Sequence, residues 1–337
     1  MRPREFIGLI ASAVTLLPAG AIAAELYPTR PIHLIVPYPP GGGTDIVGRL
    51  LGEKLSASLK QPIVVDNRGG AGGVLGTEVA AKATPDGYTL LLAPSSHVIN
   101  PSIFAKLPYD TVKDFAPITM VASAAILMAI NPRVTATTVR GFVDTAKADP
   151  KAITNYGSAG VGTVFHLTGQ MFNELSGLTL QHVPYRGGGP TVTALLAGEV
   201  PLAFETMLSL QPHVRAGTLH ALAITSAQRS PTMPEIPTTA EAGFPQLIAD
   251  NSYALLAPAG TPAPILAQLH DATVPALALP DLRDRLREQG AEVVGGSSAE
   301  LAPTSPLKFR NGKLWPARPA SSPNDWEIPR HERSDHS

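Results

Sequence analysis

Four times along this chain a short apolar run ends in a cluster of glycines and is followed by apolar residues at helical spacing. Ile32-His33-Leu34-Ile35-Val36 reads as a strand buried in a parallel sheet, and residues 41–43 break it. Thr44-Asp45 then stands where a helix N-cap belongs, with Ile46, Val47, Leu50, Leu51 and Leu55 on one helical face. The same grammar places a strand at 62–65, a glycine loop at 69–73 and a helix through Ala83. It recurs as strand 153–156, loop 157–162 and helix 163–175, then as a strand around 182–185, a further glycine loop and a helix through Leu196. Further strands are predicted at 88–93, 125–130 and 221–224, and a helix over 139–148. Pro231, Pro234, Pro237 and Gly243 mark a long irregular connection. Such alternation predicts an α/β fold with right-handed crossovers.

An internal echo narrows the choice. Val36-Pro37-Tyr38-Pro39-Pro40-Gly41-Gly42-Gly43 recurs as Val183-Pro184-Tyr185-Arg186-Gly187-Gly188-Gly189-Pro190, and the loops at 69–73 and 157–162 form a looser pair. Each glycine loop opens a helix, where unpaired backbone N–H groups and the positive end of the helix dipole are exposed. Glycine lets a ligand approach that backbone closely, so the loops make an anion site that needs no lysine or arginine. For any one loop a tight turn is the plainer explanation. Four with echoing sequence predict a two-jawed clamp holding a carboxylate.

Other chemistries find little support. There is no Gly-Lys-Ser/Thr for a nucleotide phosphate, and residues 157–162 make a poor dinucleotide fingerprint. Ser95-Ser96-His97 alone makes no triad, and the histidines lack the i, i+4 spacing of a zinc helix. The chain has no cysteine, which excludes disulfides, thiolate catalysis and a lipidated N-terminal cysteine. No cofactor and no metal are predicted. A net charge of −1 offers no basic field for nucleic acid or anionic lipid.

Arg2 and Arg4 precede an almost wholly apolar run over 6–17, and Ala21-Ile22-Ala23 supplies a small-residue cleavage pattern. Residues 1–23 therefore read as a secretory signal, with an uncleaved anchor as the alternative. Cleavage after Ala23 leaves 24 basic and 26 acidic side chains and predicts a protein free in the periplasm.

The segments Tyr27-Pro28-Thr29-Arg30-Pro31-Ile32, Asp66-Asn67-Arg68-Gly69-Gly70-Ala71-Gly72-Gly73 and Pro85-Asp86-Gly87-Tyr88-Thr89-Leu90 join the echoed motif in an ordered series. Pro237-Thr238-Thr239-Ala240-Glu241-Ala242-Gly243-Phe244-Pro245 and Ala257-Pro258-Ala259-Gly260-Thr261-Pro262 extend it. From about Tyr27 to Glu300 the chain resembles the tripartite tricarboxylate transporter substrate-binding (Bug) family. The resemblance implies a two-lobed, type II-like periplasmic binding protein fold with a central ligand cleft, and no catalysis. It implies a small organic acid or acidic amino acid as ligand, permease subunits as partners and a monomer. Carried over residue by residue, the ligand contacts are Tyr38, Pro40, Gly42, Thr44 and Asp45, then Ala71 and Gly72, then Ser95 and His97. In the second lobe they are Gly160, Gly162, Thr163, His166 and Tyr185. Where the family has Phe-Asp this chain has Phe204-Glu205, and the longer side chain is expected to narrow the pocket or to favour an amine-bearing ligand. Tyr253 replaces a tryptophan.

The expected lobes are 24–126 with 247–301, and 127–246. After Leu301 the pattern collapses into Pro, Ser, Arg and His without period, and 302–337 read as a frameshifted or disordered tail. Two further functions share this pattern. A sensor-feeding binding protein differs only in its partner, and an exported enzyme acting on a small acid would have to draw on Asp45, His97, His166 and Glu205.

Overall fold

The computed structural model describes residues 27–296 and two short strands at 307–310 and 313–316. The signal segment and most of the tail lie outside the described residues. The described chain runs β1 (Ile32–Val36), α1 (Gly43–Leu59), β2 (Ile63–Asn67), α2 (Val74–Ala81), β3 (Thr89–Pro94), α3 (Ser96–Ile103) and β4 (Phe115–Ile130). It continues through α4 (Val139–Ala148), β5 (Asn155–Ser158), α5 (Val164–Ser176), β6 (Gln181–Pro184), α6 (Gly188–Ala197), β7 (Leu202–Thr206), α7 (Met207–Arg215) and β8 (His220–Ile224). β9 (Asp250–Pro258), α8 (Ala263–Ala278), α9 (Pro280–Glu288) and β10 (Ala291–Val293) follow. The last two strands, β11 (Leu307–Arg310) and β12 (Lys313–Pro316), pair with each other as an antiparallel ribbon.

β4 organises the sheets. Residues 115–125 pair antiparallel with β9, which pairs with β3, and β1 and β2 complete that ladder in parallel. From Ile126 onward the same strand pairs with β7 and β8, and β7 carries β5 and β6 in parallel. One strand thus belongs to both sheets, and the changeover falls at Ala125/Ile126. A second crossing lies beside it. The Thr225 amide donates to the Ile126 carbonyl at 2.9 Å, and the Thr225 hydroxyl donates to the Ala249 carbonyl at 2.6 Å, one residue before β9.

Each sheet is covered on both faces. Leu34, Leu90 and Leu92 pack with Val47, Leu51 and Leu55 of α1, while Ile35, Leu91 and Ala93 face the other way toward Val74 and Ala80 of α2. That two-sided burial is why β1 reads as a continuous apolar run rather than an alternation. In the second sheet Ile126, Met128 and Phe204 bury against Phe142 and Phe172, and Leu127, Ala129 and Ala203 against Val192, Leu195 and Leu210.

β7, α7, β9, α8, α9 and β10 lie outside the sequence reading, and two further elements, β4 and α3, exceed or escape it for a local reason. β4 begins ten residues before the predicted strand, because Pro117 hides it: proline breaks the apolar run and sits at a register shift in the ladder. α3 contains Pro101 and was not predicted at all.

Candidate functional site

The four glycine loops face one another in the pairs that the sequence echo defines. A Cβ placed on Gly42 would lie 3.2 Å from the Gly188 Cα, and one on Gly41 would lie 3.6 Å from the Gly189 Cα. No side chain fits at Gly189, where the Pro40 carbonyl stands. The second pair meets the same way: a Cβ on Gly160 would lie 3.6 Å from the Gly72 Cα, and one on Gly72 would collide with the Val161 carbonyl. Gly72 also has φ +62°, so both backbone conformation and proximity require glycine there. The structure is a closed clamp whose jaws touch through main chain.

Beneath these contacts lies a small hollow, partly open to solvent. Gly42, Gly43 and Thr44 line it from the start of α1, Ser96 from the start of α3, Thr163, Val164 and Phe165 from the start of α5, and Gly188 from the start of α6. Tyr38, Pro94, Ala159, Glu205 and Asn251 complete the wall. Four helix N-termini therefore open on one space, and no lysine or arginine among the described residues lines it. Such ends present free N–H groups and positive dipole ends, which suit an anion.

The individual residues fall into two groups. The Tyr38 hydroxyl donates to the Gly72 carbonyl at 2.8 Å and accepts from the Ser96 hydroxyl at 2.9 Å, so it ties the first two loops to α3. Burial raises its pKa far above neutrality. Thr163 caps α5 by accepting from the His166 amide at 3.3 Å, and its own hydroxyl donates to the Gly160 carbonyl at 2.7 Å. Glu205, 1% exposed, is the penultimate residue of β7. Its Oε1 accepts from the Thr206 amide at 2.9 Å, its Oε2 has no partner, and burial pushes the carboxyl up to about 8. Tyr253 is fully buried beside it, with an unpartnered hydroxyl.

The remaining predicted residues stand behind this wall. Asp45 is fully engaged within the chain: it accepts from the Gly41 amide at 3.1 Å, from Arg49 at 2.9 Å and from Asn67 at 3.0 Å, bracing the first loop. Despite its burial, those bonds hold its carboxyl below the usual carboxylate range. Ser95 accepts from the Ser252 amide at 2.8 Å. His97 is stacked on Tyr109, edge-on to Phe115 and bonded to the Thr111 carbonyl at 3.0 Å, in a cluster away from the hollow. Pro40, Ala71 and Gly72 lie in the touching loops rather than in the wall, as do Gly160 and Gly162. His166 stacks on His182 with ring centroids 4.1 Å apart, and the Tyr185 hydroxyl reaches Glu199 at 3.4 Å.

Ser96 and Asn251 are wall residues that the sequence reading did not select. Ser96 lies between two residues that were chosen, and the unseen helix α3 decides which of the three faces inward. Asn251 precedes Tyr253 by two on β9, hence on the same face of the strand. That period was the available signal.

Comparison with known proteins agrees with this geometry. The sequence profile of the tripartite tricarboxylate transporter family receptor matches residues 47–305. Protein BugT of Bordetella pertussis is 38% identical over 278 residues, covering 82% of this chain and 85% of BugT. MatC of Rhodopseudomonas palustris, solved with bound malate, superposes with a TM-score of 0.75 at 33% identity, covering 79% of this chain and 91% of MatC. A second R. palustris protein, solved with adipate, gives a TM-score of 0.79 at 32% identity over 82% of this chain and 92% of its own. The chain belongs to the tripartite tricarboxylate transporter receptor family, a family of periplasmic solute-binding proteins rather than enzymes.

Proposed function

We propose that this chain captures a small dicarboxylate in the periplasm and presents it to the permease subunits of a tripartite tricarboxylate-type transporter. The observation that carries the reading is the convergence of the α1, α3, α5 and α6 N-termini on one hollow that no cationic side chain among the described residues lines. Backbone N–H groups in that arrangement receive carboxylate oxygens in a water-poor space, where each bond is worth more than at a surface. Tyr38, Gly42, Thr44, Thr163 and Glu205 from the predicted set, with Ser96, Gly188 and Asn251, form the contact surface. Asp45, Ser95 and His166 hold the loops that carry it. Two relatives solved with malate and adipate, both linear diacids, support the choice of a diacid.

Capture follows from closure. A solute seated between the jaws touches residues 38–44 and 94–96 on one side and 159–165 and 188 on the other only when the loops meet, so it favours the closed form. The lobes that close are 24–126 with 247–301, and 127–246, the segment 1–23 having been removed on export. The test is a thermal-shift screen of linear C4 to C6 diacids, monoacids and acidic amino acids against the purified chain. A dicarboxylate at a hundredfold excess over its Kd should stabilise the native state by about 2.7 kcal/mol. Stabilisation by neutral sugars or amines, with none by acids, would discard the proposal.

A further inference from the structure

We propose that Glu205 meets the solute as a neutral carboxylic acid whose Oε2–H donates to a solute carboxylate, so that binding takes up a proton wherever Glu205 is ionised in the free protein. This rests on the dicarboxylate reading above. The geometry comes first. Glu205 is a wall residue of the hollow, and of its two oxygens only Oε1 is used within the protein. Oε2 is buried, has no partner and lies toward the N-terminus of α6, 3.0 Å from where a Gly188 Cβ would be. An ionised carboxylate there would share a closed space with the incoming anion. Two such charges cannot both persist at close range, and one must keep a proton.

Among the described residues the surroundings supply no cation to relieve that conflict. The Tyr38 and Tyr253 hydroxyls feel the Glu205 charge, and burial keeps both protonated well above neutral pH. Asp45 at the start of α1 is turned to Arg49 and Asn67, and His166 on α5 is turned to His182. Burial pushes the Glu205 carboxyl up to about 8, while the Thr206 amide and hydroxyl pull it the other way. The solute itself is fully ionised above pH 7, since ordinary carboxyls titrate near 4. The proton that an ionised Glu205 gains on binding therefore comes from the solvent.

Calorimetry of the full chain with malate and adipate at pH 7, 8 and 9, in buffers of different ionisation enthalpy, tests this. Binding should take up about half a proton or more at pH 8, and affinity should fall about tenfold from pH 7 to 9 as the carboxyl ionises. Glu205→Gln, whose amide donates at every pH, should give an affinity independent of pH over that range and take up no proton. Glu205→Leu should be equally flat but weaker than Glu205→Gln. A wild-type affinity that is flat with pH, or proton release on binding, overturns the proposal; release would mean an ionised Glu205 serving a cationic group. Absence of binding by either diacid at every pH overturns the dicarboxylate reading, and this inference with it.

Discussion

His182 shows how the second sheet stores a pH sensitivity apart from the hollow. Its ring lies between His166, at 4.1 Å, and Tyr156, at 5.1 Å, and its Nε2 meets the Ser158 hydroxyl at 2.6 Å. Burial, with a smaller contribution from His166, lowers its pKa to about 3, so the ring is neutral in the folded chain. In the unfolded chain it titrates near 6.5. The unfolded state therefore binds the extra proton between those values, and stability present above pH 6.5 drains away as pH falls toward 3. Urea denaturation should show the wild type losing more stability between pH 7.5 and 5 than His182→Gln does. Equal losses would mean that His182 carries no such linkage. None of this was legible in the sequence, where His182 is one polar residue in a short strand. His166 is visible through its spacing from the glycine loop, yet its partner, His182 on β6, depends on how α5 packs on the sheet. His97 was chosen for its place after β3 and proved to serve a separate aromatic cluster, because the turn of a helix hidden by Pro101 points it there.

Among the elements, the glycine loops were the most legible, since strand end, glycine run and helix start are all local signals. What local signals could not give was which loop meets which. The answer, echo with echo, follows from two sheets sharing β4, and Pro117 obscured that strand. Gly188 offers a test of the loop contact. Its φ is not in the left-handed region, so alanine is tolerated by the backbone, but a Cβ would sit 3.1 Å from the Gly42 Cα and 3.0 Å from the Glu205 carboxyl. Gly188→Ala should leave the melting temperature of the ligand-free protein within about 2 °C of wild type while weakening solute binding about tenfold, roughly 1.4 kcal/mol. Unaltered affinity would show that the main-chain contact is not needed for capture.

For the whole molecule, the sheets are joined at neighbouring crossings, Ala125/Ile126 in β4 and Ala249/Asp250 entering β9. Strand-to-strand joints of this kind bend by small changes spread over a few residues, and the buried faces of each sheet move as units. In solution the ligand-free protein should therefore be more extended than the closed form, and its radius of gyration should decrease toward the value of about 18 Å expected for a compact chain of some 270 residues when the solute saturates it. Small-angle scattering with and without a bound diacid measures this directly. An unchanged radius would place closure before binding. The alternation of strands and helices announced the α/β class, whereas the crossings rest on long-range pairing that no local pattern encodes.

The meeting of the jaws through peptide backbone has an evolutionary corollary. Gly72 against Val161 fastens the jaws outside the hollow and Gly42 against Gly188 both fastens and lines it, whereas under the proposed reading the side chains of Ser96, Phe165, Glu205 and Asn251 set which solute fits. Descendants of such a chain can exchange the latter to recognise new nutrients without redesigning the latch, and this division of labour lets one scaffold diversify across many acids.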